Sequence, residues 1–386
     1  MQNKLMRIIF VICFLTMLGV PLITTNLKQG EISVSENRRL TAMAMLTNQD
    51  GSWNSNFTTD FETWINDNIG LRSKFVMANA VLQYKLFHVI ANNTDMYLGP
   101  RDELNYATPE MLKDYQHDNL YSEDYLKLFA NSMQDISDYV KKRGATFFYY
   151  QCWDKHSIYP EQFPKTVVQK PSESKTDGLV RALEQYSDVN VVSPKQKLIE
   201  AKTNYATYSV WGDPTHWTQR GAYMGYQELM DAINAAETKT SYRVLQESDY
   251  NITMEDQGKT LFGCIHKKDF EENFEIKHPN SVLTNYKLEL YGEEPSHSYR
   301  TNNCVDNNTR LLIIGDSYFN SFIVDDIAES FHEVILIWGD YLGDIKSIID
   351  AYDADIVVIE AAERVDRSGS IIAGATNLKE KESFDE

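Results

Sequence analysis

The sequence predicts an α/β fold, a three-layer α/β/α sandwich whose five-stranded, mostly parallel sheet is covered by helices on both faces. Short apolar or β-branched runs alternate with helical stretches along most of the chain. Such runs are typical of strands buried on both faces, and their alternation with helices favours parallel pairing. The predicted strands are residues 145–150, 189–192, 311–314, 334–337 and 356–359.

Helical periodicity begins before the first strand. Between residues 57 and 90, apolar residues recur at spacings of three and four in two segments that are separated near Gly70. A longer amphipathic helix is predicted from Ser122, a good N-cap, to Arg143, just before Gly144. The strand-helix rhythm stops between residues 237 and 308, which are polar, so we interpret them as an insertion with small elements of its own.

The N-terminus has the pattern of a signal sequence or a short membrane anchor. Lys4 and Arg7 precede an apolar run from Ile8 to about Thr24. The positive-inside rule then places the following residues outside the cytoplasm. Because no small-x-small cleavage site follows closely, we favour an uncleaved anchor in the cell membrane, with a single pass and an extracytoplasmic domain.

These patterns divide the chain into an anchor or signal (residues 1–26), a polar stalk (27–56), an α/β domain (57–368, with the insertion at about 237–308) and a charged, frayed tail (369–386). The net charge of −19 and the pI of about 4.9 exclude a nucleic-acid-binding protein, because such binding rests on Lys and Arg. The same charge favours a neutral or weakly acidic polysaccharide over a strongly anionic one. No metal-ligand spacing is present, and we predict no cofactor.

One strand ends in a sequence that suits a nucleophile. The apolar run before Gly315 is followed by Asp316 and Ser317 and then by an apparent helix. A serine at this position lies at the carboxyl end of a parallel strand, where ligands bind, and at a helix N-terminus, whose N–H groups can hold an oxyanion. A simple turn with an N-cap gives the same local sequence.

A second sequence supplies a base. His216 lies just before a predicted helix, and Asp213 stands three positions earlier, so a tight turn can bring the carboxylate to one ring nitrogen. A serine nucleophile needs such a base, itself oriented by a third group. A histidine beside Trp217 is also a common packed residue, but its occurrence together with Gly-Asp-Ser favours the catalytic interpretation.

These two blocks resemble the serine and histidine blocks of SGNH-type esterases. Their order, histidine before serine, is similar to the permuted arrangement of the AlgX/AlgJ-like polysaccharide O-acetyltransferases and the related DHHW proteins. Further fragments resemble that family in the same order along the chain: Glu36-Asn37-Arg38-Arg39-Leu40, Phe61-Glu62 with Asp67-Asn68 and Arg72, Lys155 to Pro160, Asp355 to Val358, and Glu363-Arg364.

The resemblance implies transfer of an acyl group, most simply acetyl, to a cell-surface polysaccharide, with a membrane-bound O-acyltransferase as the donor partner. It implies Ser317 as nucleophile, His216 as base and Asp213 as acid. Close members usually carry the acid two positions before the histidine, whereas here the spacing is three, as in unpermuted esterases. The Gly-x-Asn-Asp block that gives those esterases a side-chain oxyanion donor is also missing.

The remaining candidates concern the oxyanion and the substrate. The backbone N–H of Ser317 is the first oxyanion donor, and Gly339, after the next strand, is the second candidate. Aromatic faces suit pyranose rings, and Tyr318, Trp217 and Trp338 are the aromatic residues nearest these motifs in sequence. Two alternatives stay open at this point: a carbohydrate esterase with the same residues, and a non-catalytic protein that binds glycan or an assembly partner.

Overall fold

The computed structural model describes residues 2–27, 31–33, 38–90, 95–237, 239–284 and 297–385. Glu36 and Asn37, two residues of the family-like fragments, lie outside this described part. The chain forms two compact units: residues 1–94 with 260–267, and residues 95–259 with 268–386. The boundary after residue 94 does not coincide with the predicted domain start at residue 57.

The helices are α1 (Gln2–Ile23), α2 (Phe57–Asn68), α3 (Arg72–Phe87), α4 (Pro109–Gln116), α5 (Glu123–Lys142), α6 (Lys155–Ile158), α7 (Lys175–Tyr186), α8 (Lys195–Ala201), α9 (Gln219–Ala236), α10 (Ser317–Asn320), α11 (Val324–Ala328), α12 (Ile345–Tyr352) and α13 (Ser368–Asp385). Short 3-10 turns occupy Pro160–Gln162, Glu247–Asp249 and Gly339–Asp344.

The strands are β1 (Ile32–Ser33), β2 (Arg38–Arg39), β3 (Met96–Leu98), β4 (Leu104–Tyr106), β5 (Thr146–Cys152), β6 (Asn190–Val192), β7 (Tyr250–Asp256), β8 (Thr260–Leu261), β9 (Ile265–His266), β10 (Phe270–Ile276), β11 (Val282–Thr284), β12 (His297–Thr301), β13 (Arg310–Gly315), β14 (Glu333–Trp338) and β15 (Ile356–Ala362).

The smaller unit begins with the apolar helix. Within α1, residues Lys4–Ile23 form an apolar stretch of 20 residues. Such a stretch is long enough to cross the hydrocarbon core of a bilayer, and an N-terminal signal sequence has the same property. The unit also contains α2 and α3, which lie on either side of Gly70 as the periodicity predicts.

The larger unit contains a seven-stranded sheet in the order β11-β12-β14-β13-β15-β5-β6. The five strands from β14 to β6 are parallel and correspond to the five predicted runs. The predicted fold class is therefore confirmed. Two antiparallel strands from the insertion, β11 and β12, extend the sheet beyond β14. Their sequences lack a continuous apolar run, which is why composition did not reveal them.

Each face of the sheet carries its own hydrophobic core. One core packs α9 and α11 against the inward side chains of the strands, and the other packs α5, α7, α12 and α13. The predicted frayed tail is wrong for the first part of this last helix. Ile371, Ala375 and Leu378 of α13 are buried, at a spacing of four and then three that places them on one helix face.

The topology brings four chain segments to one edge of the sheet. Because β5, β13, β14 and β15 run parallel, their carboxyl ends lie at the same edge. Asp154 follows β5, Ser317 follows β13, Gly339 follows β14, and Arg364 follows β15. These residues are distant in sequence, and only the strand order places them side by side.

Candidate active site

Ser317 is the first residue of α10, immediately after the turn that ends β13. Asp316 caps this helix through its side chain, which accepts a hydrogen bond from the Tyr318 N–H at 2.9 Å. Gly315 is required here, because a Cβ atom would lie 2.6 Å from Glu360 Oε2. Within the described residues the Ser317 N–H has no backbone or side-chain acceptor, so it is available to a ligand.

The histidine lies in a turn that Asp213 organises. Asp213 Oδ1 accepts hydrogen bonds from the Thr215 N–H at 2.8 Å and from Thr215 Oγ1 at 2.6 Å. Its other oxygen, Oδ2, lies 2.9 Å from His216 Nδ1. The cap of the following helix α9 is Thr218, whose side chain accepts from the Gly221 N–H. Asp213 therefore shapes the turn before the helix but does not cap the helix itself.

The serine and histidine motifs meet in the structure. His216 Nε2 lies 2.8 Å from Ser317 Oγ, across 101 residues of sequence. His216 has a side chain that is 18% exposed, and that of Asp213 is 36% exposed. Burial raises the pKa of the Asp213 carboxyl, but hydrogen bonds from His216 and Thr215 outweigh it and hold the pKa well below its usual range. Asp213 is therefore ionised at neutral pH.

Arg364 is a fourth polar group at this site, and its functional role was not predicted. Its Nη2 atom lies 2.9 Å from His216 Nε2, and its Nη1 atom donates to Asp154 Oδ1 at 2.5 Å and to the Thr215 carbonyl at 3.0 Å. Burial alone would lower the pKa of this guanidinium, but the Asp154 charge more than compensates and raises it. Arg364 thus remains cationic and lies beside the catalytic candidates.

Asp154 holds Arg364 in place through an ion pair. This carboxylate is 2% exposed, and its Oδ1 atom also accepts a hydrogen bond from the Tyr318 hydroxyl at 2.9 Å. A buried carboxylate is stable only when it is paired and hydrogen-bonded. The pair fixes the guanidinium in one orientation, because the same bonds that neutralise Asp154 also set the direction of Nη2.

The aromatic candidates occupy different positions. Tyr318 and Trp217 are 0% and 1% exposed, and their rings pack edge to face at 5.1 Å, so in this structure neither offers a ring face for stacking on a sugar. Trp338 is half-buried at the end of β14. Gly339 is buried at the start of the next turn, where a Cβ atom would lie 3.0 Å from Arg367 Nε. Among the described residues, no backbone hydrogen bond joins Gly339 to Ser317.

One cluster beside the site has residue types that bind metals. Asp154, His156 and Glu363 are buried, and their ligand atoms lie within 4.8 Å of one another. The oxygens of Glu363 accept hydrogen bonds from the Asp154 N–H at 2.8 Å and from Ser157 Oγ at 2.7 Å. Asp154 is paired with a cation. This chemistry fits a hydrogen-bonded support for the loop after β5 better than a metal centre.

Sequence reasoning missed the link from Asp154 through Arg364 to His216. Arg364 was noticed only as part of a family-like Glu-Arg pair, and Asp154 was not singled out. A charged residue two positions after the end of a buried strand of a parallel sheet is the available signal. It applies to both positions, since Asp154 follows β5 and Arg364 follows β15.

The comparisons with known proteins agree with the predicted fold. Residues 110–280 match the family model described as the SGNH hydrolase-like domain of the acetyltransferase AlgX. This match includes His216 and ends before Ser317. No curated protein matches the sequence.

Solved structures give similar folds. Bacillus cereus PatB1 with a sulfonyl adduct is 18% identical, with a TM-score of 0.53 over 73% of this chain and 99% of that one. A DHHW family protein from Eubacterium siraeum is 12% identical, with a TM-score of 0.51 over 74% and 96%. The O-acetyltransferase domain of Pseudomonas putida AlgJ is 15% identical, with a TM-score of 0.42 over 73% of this chain and 99% of that one. The predicted resemblance to the AlgX-like and DHHW proteins is confirmed.

Proposed function

We propose, from the match to the AlgX-type SGNH hydrolase-like acetyltransferase domain, that this chain transfers an acetyl group to a hydroxyl of a cell-surface polysaccharide through an acyl-serine intermediate. The observation that supports it most directly is the row of contacts from Ser317 Oγ to His216 Nε2 at 2.8 Å and from His216 Nδ1 to Asp213 Oδ2 at 2.9 Å. A serine hydroxyl is a weak nucleophile unless such a base takes its proton.

The charges around His216 select one tautomer of the neutral ring. Arg364 offers only N–H donors, so the ring nitrogen that faces it, Nε2, must carry a lone pair. The proton is then on Nδ1, where it is donated to the ionised Asp213. In this tautomer Nε2 carries the lone pair that can accept the proton of Ser317. The resting site is thus prepared for general base catalysis.

In the first half-reaction, Ser317 Oγ forms a bond to the carbonyl carbon of the acetyl donor while its proton passes to His216 Nε2. The carbonyl oxygen becomes an oxyanion, which the free Ser317 N–H and an N–H of Arg364 stabilise. The bond to the donor oxygen then breaks, and this leaving group takes the proton from His216. The products are acetyl-Ser317 and the deacetylated donor.

In the second half-reaction, a sugar hydroxyl replaces the donor. Its proton passes to His216 Nε2 as its oxygen bonds to the acetyl carbon, and a second oxyanion forms in the same place. The bond to Ser317 Oγ breaks and the serine regains its proton. Asp213 stabilises the imidazolium that exists during each half-reaction.

The proposed location is the outer face of the cell membrane. In helix α1 two basic residues, Lys4 and Arg7, come before the apolar run, which is the pattern of a segment whose N-terminus stays in the cytoplasm. A membrane-bound O-acyltransferase that delivers the acyl group across the membrane is the partner implied by the family resemblance.

The decisive experiment is covalent labelling combined with a transfer assay on the full chain in detergent. A sulfonyl fluoride probe should modify Ser317 only, and the Ser317→Ala variant should lose both labelling and transfer from a chromogenic acetyl ester to an oligosaccharide. A wild-type protein that binds glycan but never reacts would support the non-catalytic alternative.

The esterase alternative uses the same residues with water in place of the sugar. The two activities differ in how well the site holds the acceptor and excludes water. Mass spectrometry of the sugars after reaction with the chromogenic ester separates them. Acetylated sugars identify a transferase, whereas acetate release without any acetylated sugar, or deacetylation of an acetylated polysaccharide, identifies an esterase.

A further inference from the structure

A cleft lies next to the catalytic candidates, on the side of Asp213 that faces the insertion. Its volume is about 280 Å³. It is bordered by the His216 turn, by β10 of the insertion and by Phe322. Ligand pockets in proteins usually start at about this size, and a volume this small suits one sugar ring better than a longer segment.

Two buried polar atoms of the cleft residues lack partners among the described residues. Glu271 on β10 is 8% exposed, and its Oε1 atom has no hydrogen-bond partner. Trp217 is 1% exposed, and its Nε1–H has no acceptor. An unsatisfied buried donor or acceptor destabilises the folded chain, so native proteins keep such groups where a ligand or water completes them. One group accepts and the other donates, which matches the hydroxyls of a sugar.

Phe322 supplies the apolar side of the cleft. Its ring is half-buried, and its centroid lies 5.5 Å from that of His216. Aromatic rings offer apolar faces for packing, and a pyranose ring has an apolar face of its own. A ligand that packs on Phe322 is therefore adjacent to the base that must receive a proton from an acceptor hydroxyl.

The charges of the cleft disfavour an anionic ligand. Asp213 and Glu271 are carboxylates, and a third one, Glu272, is paired with Arg220 at 2.6 and 2.7 Å. Lys259 is the cation at the rim, and it is exposed. Burial, together with the charges of Asp269 and Asp213, raises the pKa of Glu271 to about 7, so that the carboxyl can donate as well as accept near neutral pH.

We infer that this cleft is an acceptor subsite for one neutral sugar residue of the polysaccharide, with Glu271 and Trp217 Nε1 binding its hydroxyls and Phe322 packing on its ring. The residue it holds neighbours the sugar whose hydroxyl reacts at His216. This inference rests on the proposed acetyl transfer. It adds the chemical class of the acceptor and assigns to the insertion the task of binding it.

Sugar binding is tested first, on a variant that cannot form the acyl-serine intermediate. Ser317→Ala full chain in detergent is titrated by calorimetry with cellotriose, maltotriose, tri-N-acetylchitotriose and trigalacturonate. At least one neutral trisaccharide should bind, and trigalacturonate should bind at least tenfold more weakly. Adding Glu271→Gln or Phe322→Ala should weaken the neutral ligand tenfold or more, whereas Glu275→Gln, an exposed carboxylate on the same strand, should not.

Transfer is tested second, with the reactive serine in place. The rate of Ser317 acylation by the chromogenic ester and the rate of transfer to the neutral trisaccharide are measured separately. For each variant, the ratio of the transfer rate to the acylation rate then reports acceptor binding. Glu271→Gln should raise the KM for the trisaccharide about tenfold relative to any change in acylation.

Three results would overturn the subsite. Trigalacturonate could bind more tightly than every neutral trisaccharide, or Glu271→Gln and Phe322→Ala could leave binding unchanged. In the third, the Glu271→Gln variant loses transfer only in proportion to its loss of acylation. A wild-type protein that binds neutral sugar but never acylates Ser317 would instead leave the subsite standing and refute the proposed acetyl transfer.

Discussion

Arg364 and Ser317 approach the same ring nitrogen of His216, Arg364 through Nη2 at 2.9 Å and Ser317 through Oγ at 2.8 Å. A neutral imidazole nitrogen has one lone pair, so the two donors compete for it in the resting site. When the nitrogen takes the serine proton, it no longer accepts from Arg364. The guanidinium N–H then becomes available to the oxyanion that forms at the same moment.

Replacing Arg364 should therefore slow the reaction without abolishing the nucleophile. We expect Arg364→Gln to lower kcat about 10²–10³-fold, the usual cost of one oxyanion donor. Arg364→Lys should recover only part of the rate, because an ammonium does not reproduce the fixed guanidinium geometry. Turnover of the chromogenic acetyl ester measures both effects.

The control for this prediction must separate catalysis from folding. Arg364→Gln leaves the buried Asp154 unpaired, which destabilises a protein by about 3–5 kcal/mol, so the double variant with Asp154→Asn restores neutrality. Arg243→Gln removes a half-exposed ion-paired arginine and should leave turnover unchanged. Added guanidinium ion should partly rescue Arg364→Ala. A folded double variant with normal kcat would exclude Arg364 from the reaction.

Asp213→Asn tests the acid of the proposed triad. The amide cannot stabilise the imidazolium and favours the wrong ring tautomer, so we expect a loss approaching the roughly 10⁴-fold found for a serine-protease triad. An Asn side chain keeps an oxygen for the Thr215 hydrogen bonds that shape the turn. The variant should therefore stay folded, as thermal unfolding will show.

A double variant makes this test sharper. Members of one catalytic unit are far from additive, so Asp213→Asn should cost little more once His216→Ala is present. Near-normal turnover by the single Asp213 variant would remove the acid and leave a Ser317 and His216 dyad.

Glu271 should impose a pH dependence on stability. Its pKa rises from an ordinary 4.5 to about 7 on folding, mainly through burial. Between these pH values the folded chain binds a proton that the unfolded chain releases, so the contribution of this group to stability is full below about pH 4.5 and is lost as pH rises to about 7. Urea unfolding from pH 4.5 to 7.5 should show a shallower decline in Glu271→Gln than in the wild type.

Asp326 provides the comparison for this measurement. Burial also raises its pKa to about 7, and it titrates in both proteins, so the difference between the two curves reports Glu271 alone. Parallel curves would mean that Glu271 is already ionised in the folded chain.

Topology is tested by fusion. A reporter that is active only outside the cytoplasm should be active when fused after residue 60, and the protein should stay with membranes at full mass, because α1 is an uncleaved anchor in our proposal. A soluble form beginning near residue 26 would show that α1 is a removed signal.

Local sequence was sufficient for the parallel core of the fold. Strands such as β13 and β15 are buried on both faces, so their continuous apolar runs can be recognised in the sequence without knowledge of the neighbouring strands. The polar strand β12 could not be recognised in this way, because it lies in the insertion and its pairing with β14 depends on the rest of the sheet. The helix α13 was not predicted, because the charged run that begins at Lys379 gives this segment the composition of a polar tail, whereas its buried residues Ile371, Ala375 and Leu378 lie before that run.

The sequence by itself determined the two motifs that supply Ser317, His216 and Asp213, because a strand-to-helix turn and an acid three positions before a histidine are local patterns. Tertiary structure alone decided their neighbours. Arg364 reaches His216 only because β15 pairs with β13, and Glu271 borders the cleft only because the insertion folds back beside the His216 turn. Contacts between residues far apart in sequence follow from strand order and packing, which leave no pattern of spacing to detect.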